Sequence, residues 1–457
     1  MKHYVSKLIT IPLLGLLLIS CKDKEEKIDV ASISCSQDSL TISANGSATI
    51  SAEIAPANAN DTSYYWQIGD NTIISLDGET VSAKAVGSTW IYAISTARPE
   101  IKDSIYITVN AIPQKTISFT DENITYEGRI IIDGTSAQYL YPGSSISTNF
   151  TGTSLSAKFN KVVAYYWVEI DNMEPYKLYT RSAARYSQKD DAFVLAQGLA
   201  EGSHTAKITL CSEGIFKNPQ FYGFLIDESA SLSKPATKSV KFEFIGNSIT
   251  CGYGTEVTNR SAFNDSTSNF CHGYAYLTAK EFNAETMVVA RSGIGIYTNY
   301  GDQNSLYGMM PDNYFKTWLN ASTNWDFTKF TPDVVFINLG TNDTWNFGFA
   351  VDKNKPDFDS AAYASTYRTF LNNIIANYPN SSFVLLTGSM MRDNALKMIK
   401  SILNDIQTEY NTTAHPFYRF DFTPTYGTGA DWHPCAAQQA NMGSDLINFL
   451  KTNNVVK

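Results

Sequence analysis

Apolar and polar positions alternate with a period of two through residues 30–111. Leu40-Thr41-Ile42-Ser43 and Ala48 to Ile54 follow this rule, and Tyr64 to Ile68, Thr89 to Ile94 and Ile105 to Val109 read as further strands. Such alternation suits half-buried strands. Asn45-Gly46 predicts a turn between the first two runs. Residues 118–228 continue in the same mode, with strands expected at Arg129–Ile132, Ser147–Phe150, Ser156–Phe159 and Tyr165–Ile170. Their spacing suits a sandwich or jelly roll. Ala111–Lys115 and the Ser-, Ala- and Lys-rich stretch Glu228–Ser239 read as linkers.

From Val240 the pattern changes. Val240, Phe242 and Phe244 alternate with Lys241 and Glu243 before Ile245-Gly246. Met287–Ala290, Val334–Ile337 and Phe383–Leu386 are short apolar runs, as in buried parallel strands, and Phe417–Phe420 reads as a fifth strand. Between them apolar side chains recur at helical steps, at Tyr363, Tyr367, Phe370, Leu371 and Ile374 and again at Leu396, Ile399, Ile402, Leu403 and Ile406. Strand–helix alternation over residues 240–457 predicts a three-layer α/β sandwich around a parallel sheet. The chain is thus multidomain, with two all-β modules followed by an α/β domain.

Composition narrows the class. With 43% apolar and 17% charged residues the chain is an ordinary globular mix. A net charge of −9, without a basic cluster, argues against a nucleic-acid partner. At the N-terminus, a basic segment precedes the apolar run Leu8–Leu17, which is too short to span a bilayer. Leu18-Ile19-Ser20-Cys21 then resembles the bacterial lipobox. That resemblance implies a signal peptide over 1–20, lipidation of Cys21, and membrane attachment through a tether at 21–29. It places the protein as an outer-membrane lipoprotein at the cell surface or in the periplasm. The other cysteines are Cys35, Cys211, Cys251, Cys271 and Cys435. Their odd number leaves at least one outside any intrachain disulfide, and a pair among Cys251, Cys271 and Cys435 stays open. No Cys/His spacing matches a zinc site, so no metal is expected.

Four segments follow strand ends: Gly246-Asn247-Ser248, Ser292-Gly293-Ile294-Gly295, Gly340-Thr341-Asn342-Asp343 and Asp431-Trp432-His433-Pro434. In open parallel sheets the binding crevice lies there. Acyl transfer from a serine needs a base for the hydroxyl proton, donors for the oxyanion, and a proton for the leaving alcohol. Ser248 is the candidate nucleophile and His433 the base. The Ser248 N–H, Gly293 N–H and Asn342 amide are the candidate oxyanion donors. Gly293-Ile294-Gly295 is no dinucleotide fingerprint. Asp343 reads as a loop brace, and His204, His272 and His415 as structural. Tyr253, Tyr297, Trp345 and Trp432 flank the motifs. Lining of a sugar-stacking cleft is expected of Trp432, whereas Tyr253, Tyr297 and Trp345 suit cleft lining or packing equally.

Together the four blocks resemble the SGNH, or GDSL-type, hydrolase superfamily, named for those residue types in that order. Two positions depart from its pattern. Asn247 stands where the superfamily has Asp. Triads there often carry Asp three residues before the His, where this chain has Ala430, with Asp431 two before. His433 is therefore oriented either by Asp431 or by a backbone carbonyl such as that of Trp432.

Further segments sharpen the resemblance. Glu127-Gly128-Arg129, Phe150-Thr151-Gly152-Thr153, Tyr165–Asp171 and Phe221–Asp227, together with the catalytic blocks, look like the family 2 carbohydrate esterases over residues 118–457. That implies a cofactor-free deacetylase of acetylated plant polysaccharide, xylan or glucomannan. Residues 30–111 resemble bacterial Ig-like modules, most of which act as spacers. A lipase-like or aryl esterase is the alternative enzyme, and a surface glycan-binding lipoprotein the non-enzymatic one.

Overall fold

The computed structural model describes residues 27–181, 187–215, 217–302, 308–319, 321–346 and 358–456. The run expected as a signal peptide and Cys21 lie outside them. The chain divides into two compact units, one ending at Ile112 and the other spanning Pro113–Lys457. Among the described residues no helix is long and apolar enough to cross a membrane.

The first unit is all β. Ser39–Ser43 pairs in parallel with Lys102–Asn110, which continues antiparallel to Gly87–Ser95 and then to Tyr64–Ile68. Ser47–Thr49, Thr80–Ala83 and Ile74–Asp77 make a second sheet, and Ser32–Cys35 pairs with Ala52–Ala55. The run expected as one strand over 48–54 is broken at Ile50-Ser51. Ile50 turns into the core beside Ile42, Ile74 and Val81, and the chain changes sheet there. Asn45 adopts a left-handed φ of 66°, so the Asn-Gly turn is present, but the strands it joins lie in different sheets.

Residues 114–233 form two antiparallel sheets of six strands each. Their inward aromatic side chains interdigitate, with Phe159 stacked on Tyr166 at 4.5 Å and Phe221 edge-on to Phe224 at 4.8 Å. Both expected linkers contribute strands. Gln114–Ser118 pairs with Gln220–Asp227, and Leu232–Ser233 pairs with Ser145–Thr151. Backbone pairing thus extends the module beyond the 118–228 limits that the side-chain pattern marks.

The α/β domain is built on five parallel strands: β1 (Lys241–Gly246), β2 (Glu285–Ala290), β3 (Val334–Asn338), β4 (Ser382–Thr387) and β5 (Phe417–Asp421), in the order 2-1-3-4-5. Alternation of side chains gives each strand two buried faces. Ile245, Val289, Ile337 and Leu385 face helices α2 (Ser360–Asn377) and α3 (Asp393–Tyr410). Phe244, Val288, Phe336 and Leu386 face α1 (Tyr274–Glu281) and α4 (Ala436–Thr452). Covering both faces produces the expected three-layer sandwich. Each fully buried side chain of this size contributes roughly 1.5–3 kcal/mol, and Ile337→Ala would cost about 2–5 kcal/mol.

The jelly roll and the α/β domain belong to one unit and are locked by a buried ion pair. Arg129, expected as the first residue of a strand, lies just before the observed strand Ile130–Ile132, and its fully buried side chain is 3.5 Å from Glu243 of β1. Arg129 also donates to the carbonyls of Tyr314 and Lys316, and the Tyr314 hydroxyl donates to Glu243 at 2.8 Å. Burial pushes the Glu243 carboxyl up to about 7, against the pull of Arg129.

Candidate active site

The strand order reverses between β1 and β3, and such switch points open a crevice at the carboxyl ends. The chain leaves β1 through Gly246. A Cβ there would sit 2.1 Å from Thr250 Oγ1, so only glycine lets the turn close this tightly. Asn247 then caps the helical turn Ser248–Cys251, its side-chain oxygen accepting the Ile249 N–H at 3.0 Å. An asparagine oxygen performs this cap as well as the superfamily's aspartate would. The turn presents Ser248 at the cleft floor, 7% exposed.

Ser248 Oγ lies 2.8 Å from His433 Nε2. Segments 185 residues apart thus meet at hydrogen-bond distance. His433 follows two left-handed non-glycine residues, Asp431 (φ 44°) and Trp432 (φ 66°). Such backbone costs about 1–3 kcal/mol per residue and persists only where surroundings enforce it. Here it turns the carbonyls of Ala430 and Asp431 toward the imidazole, 3.1 and 3.2 Å from Nδ1. Nδ1 donating to these carbonyls leaves Nε2 as the acceptor for the serine proton.

The Asp431 carboxylate does not perform the orienting role considered for it. It accepts the Tyr253 hydroxyl at 2.7 Å and the Phe263 N–H at 3.2 Å, because the left-handed backbone swings the side chain away from the ring. The orienting carbonyls are those of Ala430 and Asp431, not of Trp432. Tyr253 covers the imidazole, with ring centroids 4.1 Å apart. Burial lowers the His433 pKa, against the pull of the two carbonyls and of Asp431.

Gly293 and Asn342 line the same cleft as Ser248 and His433. Gly293 has φ 79°, which glycine adopts without strain. Asn342 Nδ2 donates one hydrogen to the Ile294 carbonyl at 2.7 Å, which fixes its amide plane and ties the β3 loop to the β2 loop. Neighbouring Asp343 braces that loop: its carboxylate accepts the N–H groups of Ile296, Tyr297 and Thr298 at 2.9, 2.7 and 3.1 Å. Burial pushes this carboxyl up to about 6 despite those donors.

The cleft encloses about 620 Å³, within the usual range for small-molecule sites. Trp345 and Trp432 line it, Trp432 with 56% of its surface exposed and the Arg260 guanidinium 3.9 Å from its ring. Tyr297 is absent from the lining. Its N–H is drawn to Asp343 and its ring packs on the core below. Tyr300 takes the place at the rim, 5.3 Å from the Trp345 ring. Sequence reading also passed over Met390, Met391 and Arg392 after β4, a strand whose end carries no recognised motif.

The remaining candidates are structural. His204 bonds Asp171 and the Ala200 carbonyl. His272 packs edge-on against Trp167 at 5.1 Å, and His415 Nδ1 faces the Pro379 carbonyl. Cys251, Cys271 and Cys435 are free and buried, so the pairing left open among them is not formed. Among the described residues no cluster of three or more His, Cys, Asp or Glu side chains could hold a metal ion.

A 2-1-3-4-5 parallel sheet with a serine hydroxyl on an imidazole at its carboxyl edge defines a GDSL-type hydrolase fold and site. Residues 126–235 match the family described as carbohydrate esterase 2 N-terminal, and residues 244–446 the GDSL-like lipase/acylhydrolase family. The chain is 30% identical over 334 residues to a cellulase/esterase, CelE, of Acetivibrio thermocellus. That match covers 72% of this chain and 39% of the longer relative, so the chain spans well under half of it. An acetylxylan esterase / glucomannan deacetylase of Cellvibrio japonicus is 26% identical, with 71% of this chain and 89% of that protein covered. A family two carbohydrate esterase from Clostridium thermocellum, solved in complex with cellohexaose, superposes with a TM-score of 0.63 at 28% identity, covering 73% of this chain and 100% of its own. Residues 126–235 and 244–446 thus carry the N-terminal and GDSL-type domains of the family 2 carbohydrate esterases.

Proposed function

We propose that this protein is a serine esterase that removes O-acetyl groups from plant cell-wall polysaccharide, xylan or glucomannan, through an acyl-enzyme on Ser248. The observation that carries the reading is the 2.8 Å contact between Ser248 Oγ and His433 Nε2, in a cleft that Gly293 and Asn342 also line. His433 takes the serine proton as Oγ attacks the acetyl carbonyl. The Ser248 N–H, the Gly293 N–H and the second hydrogen of the Asn342 amide stabilise the oxyanion. His433 then returns the proton to the departing sugar hydroxyl, and water repeats the sequence to release acetate. The relative named acetylxylan esterase / glucomannan deacetylase supports the choice of polymer.

Acetylated xylan and glucomannan oligosaccharides should lose mass in acetyl-sized steps with the wild-type chain and keep it with Ser248→Ala. Preference for octanoyl over acetyl esters would instead favour a lipase-like enzyme. Anchoring is part of the same proposal: lipid on Cys21 would hold the protein in the outer membrane, facing the periplasm or the cell surface. Cys21→Ala should then move it from the membrane fraction to the soluble one.

A further inference from the structure

The loop that carries Gly293 is gripped by a residue of the jelly roll. Ser203–Leu210 is a strand of that module, and three residues beyond its end Glu213 reaches the α/β domain. One Glu213 oxygen accepts the Ser292 N–H at 2.9 Å, and the other accepts the Ser292 hydroxyl. Hydrogen bonds to an ionised carboxylate are about twice as strong as neutral ones, and a two-point grip adds orientation to strength. Ser292 directly precedes Gly293, so its carbonyl carbon carries the peptide whose N–H is the candidate oxyanion donor. Other ties of the loop lie on either side of that peptide or close a turn around it: Arg291 N–H donates to the Gly246 carbonyl at 3.3 Å, Ile294 N–H to the Arg291 carbonyl at 3.3 Å, Tyr300 N–H to the Gly293 carbonyl at 2.9 Å, and Asn342 Nδ2 to the Ile294 carbonyl at 2.7 Å.

Glu213 is partly buried, and taking a carboxyl even partly out of water is costly. Burial pushes its pKa up, against the two Ser292 bonds and the charges of Arg291 and Lys217. An apolar side chain would fill the space without that cost but could not fix the Ser292 peptide. Ser292 itself lines the cleft, so the grip ends at the reaction centre.

We propose that Glu213 is a positioning residue for the oxyanion hole, holding the Gly293 N–H toward Ser248 through Ser292, so that the jelly roll completes the catalytic geometry. This rests on the esterase reading above. The test uses the full chain and an aryl acetate, with Glu213→Ala, Glu213→Gln, Ser292→Ala and the double Glu213→Ala/Ser292→Ala. Glu213→Ala should lower kcat roughly 10- to 100-fold, part of what complete loss of a donor costs, with KM within about two-fold. Glu213→Gln should recover most of the rate, because its amide can accept the Ser292 N–H and donate to the hydroxyl. The double variant should be no slower than Glu213→Ala, as expected for residues acting through one contact.

Hydrogen exchange at the Ser292 and Gly293 amides should speed up in Glu213→Ala, a readout independent of turnover. Should Glu213→Ala fail to fold, Ser292→Ala, which loses one hydroxyl, must still show a reduced kcat. Unchanged kcat or exchange, additive losses, or a Glu213→Gln enzyme as slow as Glu213→Ala would overturn the inference. A wild-type chain that turns over no acetyl ester would overturn the parent reading instead.

Discussion

The Asp431 side chain accepts the Tyr253 hydroxyl at 2.7 Å, and what it offers His433 is its backbone carbonyl, 3.2 Å from Nδ1. The pair at the reaction centre is therefore a serine and a histidine oriented by main chain. Replacing the aspartate of a full triad lowers kcat about 10⁴-fold, because the imidazole then takes the wrong tautomer. Backbone carbonyls survive side-chain substitution. Asp431→Asn should thus lower kcat less than about tenfold, far short of that triad loss. Steady-state kinetics of Asp431→Asn beside His433→Ala decides this, and an equal collapse of both would restore a triad role to the carboxylate.

The pH profile follows from the burial of His433. The base must be neutral to accept the serine proton, and its pKa lies below the ordinary imidazole value of 6.5 because desolvation outweighs the two carbonyls and Asp431. The acid limb of kcat/KM should therefore fall at a pH below 6.5. Tyr253 shields the ring, with centroids 4.1 Å apart, so Tyr253→Ala should admit water and move that limb to higher pH. The linked effect on stability has a definite sign. As pH falls through 6.5 the unfolded chain takes up a proton that the folded one resists, so stability is lost on the acid side.

Much of this site was legible in the sequence, and the reasons differ by residue. Ser248 and His433 could be read because each lies in a short motif at a strand end or before a helix. Apolar runs announced β2, β3 and β4, since strands covered on both faces need continuous hydrophobicity, whereas Lys241 and Glu243 interrupt the run in β1 and Arg419 that in β5. Asp431 could not be oriented, because its direction depends on two consecutive positive φ angles that nothing in Ala-Asp-Trp-His announces. Tyr297 could not be placed between cleft lining and packing for a similar reason: Asp343 captures three consecutive N–H groups and turns Tyr297 inward. Glu213 was invisible because it acts across 79 residues and across a domain boundary. The broken strand at Ile50-Ser51 shows the same limit, since alternation marks which side chains are buried but not which sheet receives them.

The Arg129–Glu243 pair should behave as a lock whose halves cannot be removed singly. Both side chains are fully buried, so deleting one strands the other's charge. Arg129→Met should destabilise the chain by about 3–5 kcal/mol, whereas Arg129→Met combined with Glu243→Leu should recover most of that loss. Equilibrium urea unfolding of the three proteins reads the difference. A single variant as stable as wild type would mean that water reaches the remaining charge.

Trp432 separates binding of the polymer from the chemical step. It is 56% exposed, lines the cleft, and lies beneath the Arg260 guanidinium, whose centre is 3.9 Å from its ring. An exposed indole held in place by a cation offers a flat apolar face on which a sugar ring can stack, and it carries no group that the acyl transfer uses. Trp432→Ala should therefore raise KM for acetylated oligosaccharides severalfold while changing kcat on a small aryl acetate much less. If both substrates lose kcat alike, the side chain is needed to hold the left-handed turn before His433. That outcome would assign the severalfold effect to the backbone of residues 431–432, whose φ values of 44° and 66° aim the two carbonyls at the imidazole.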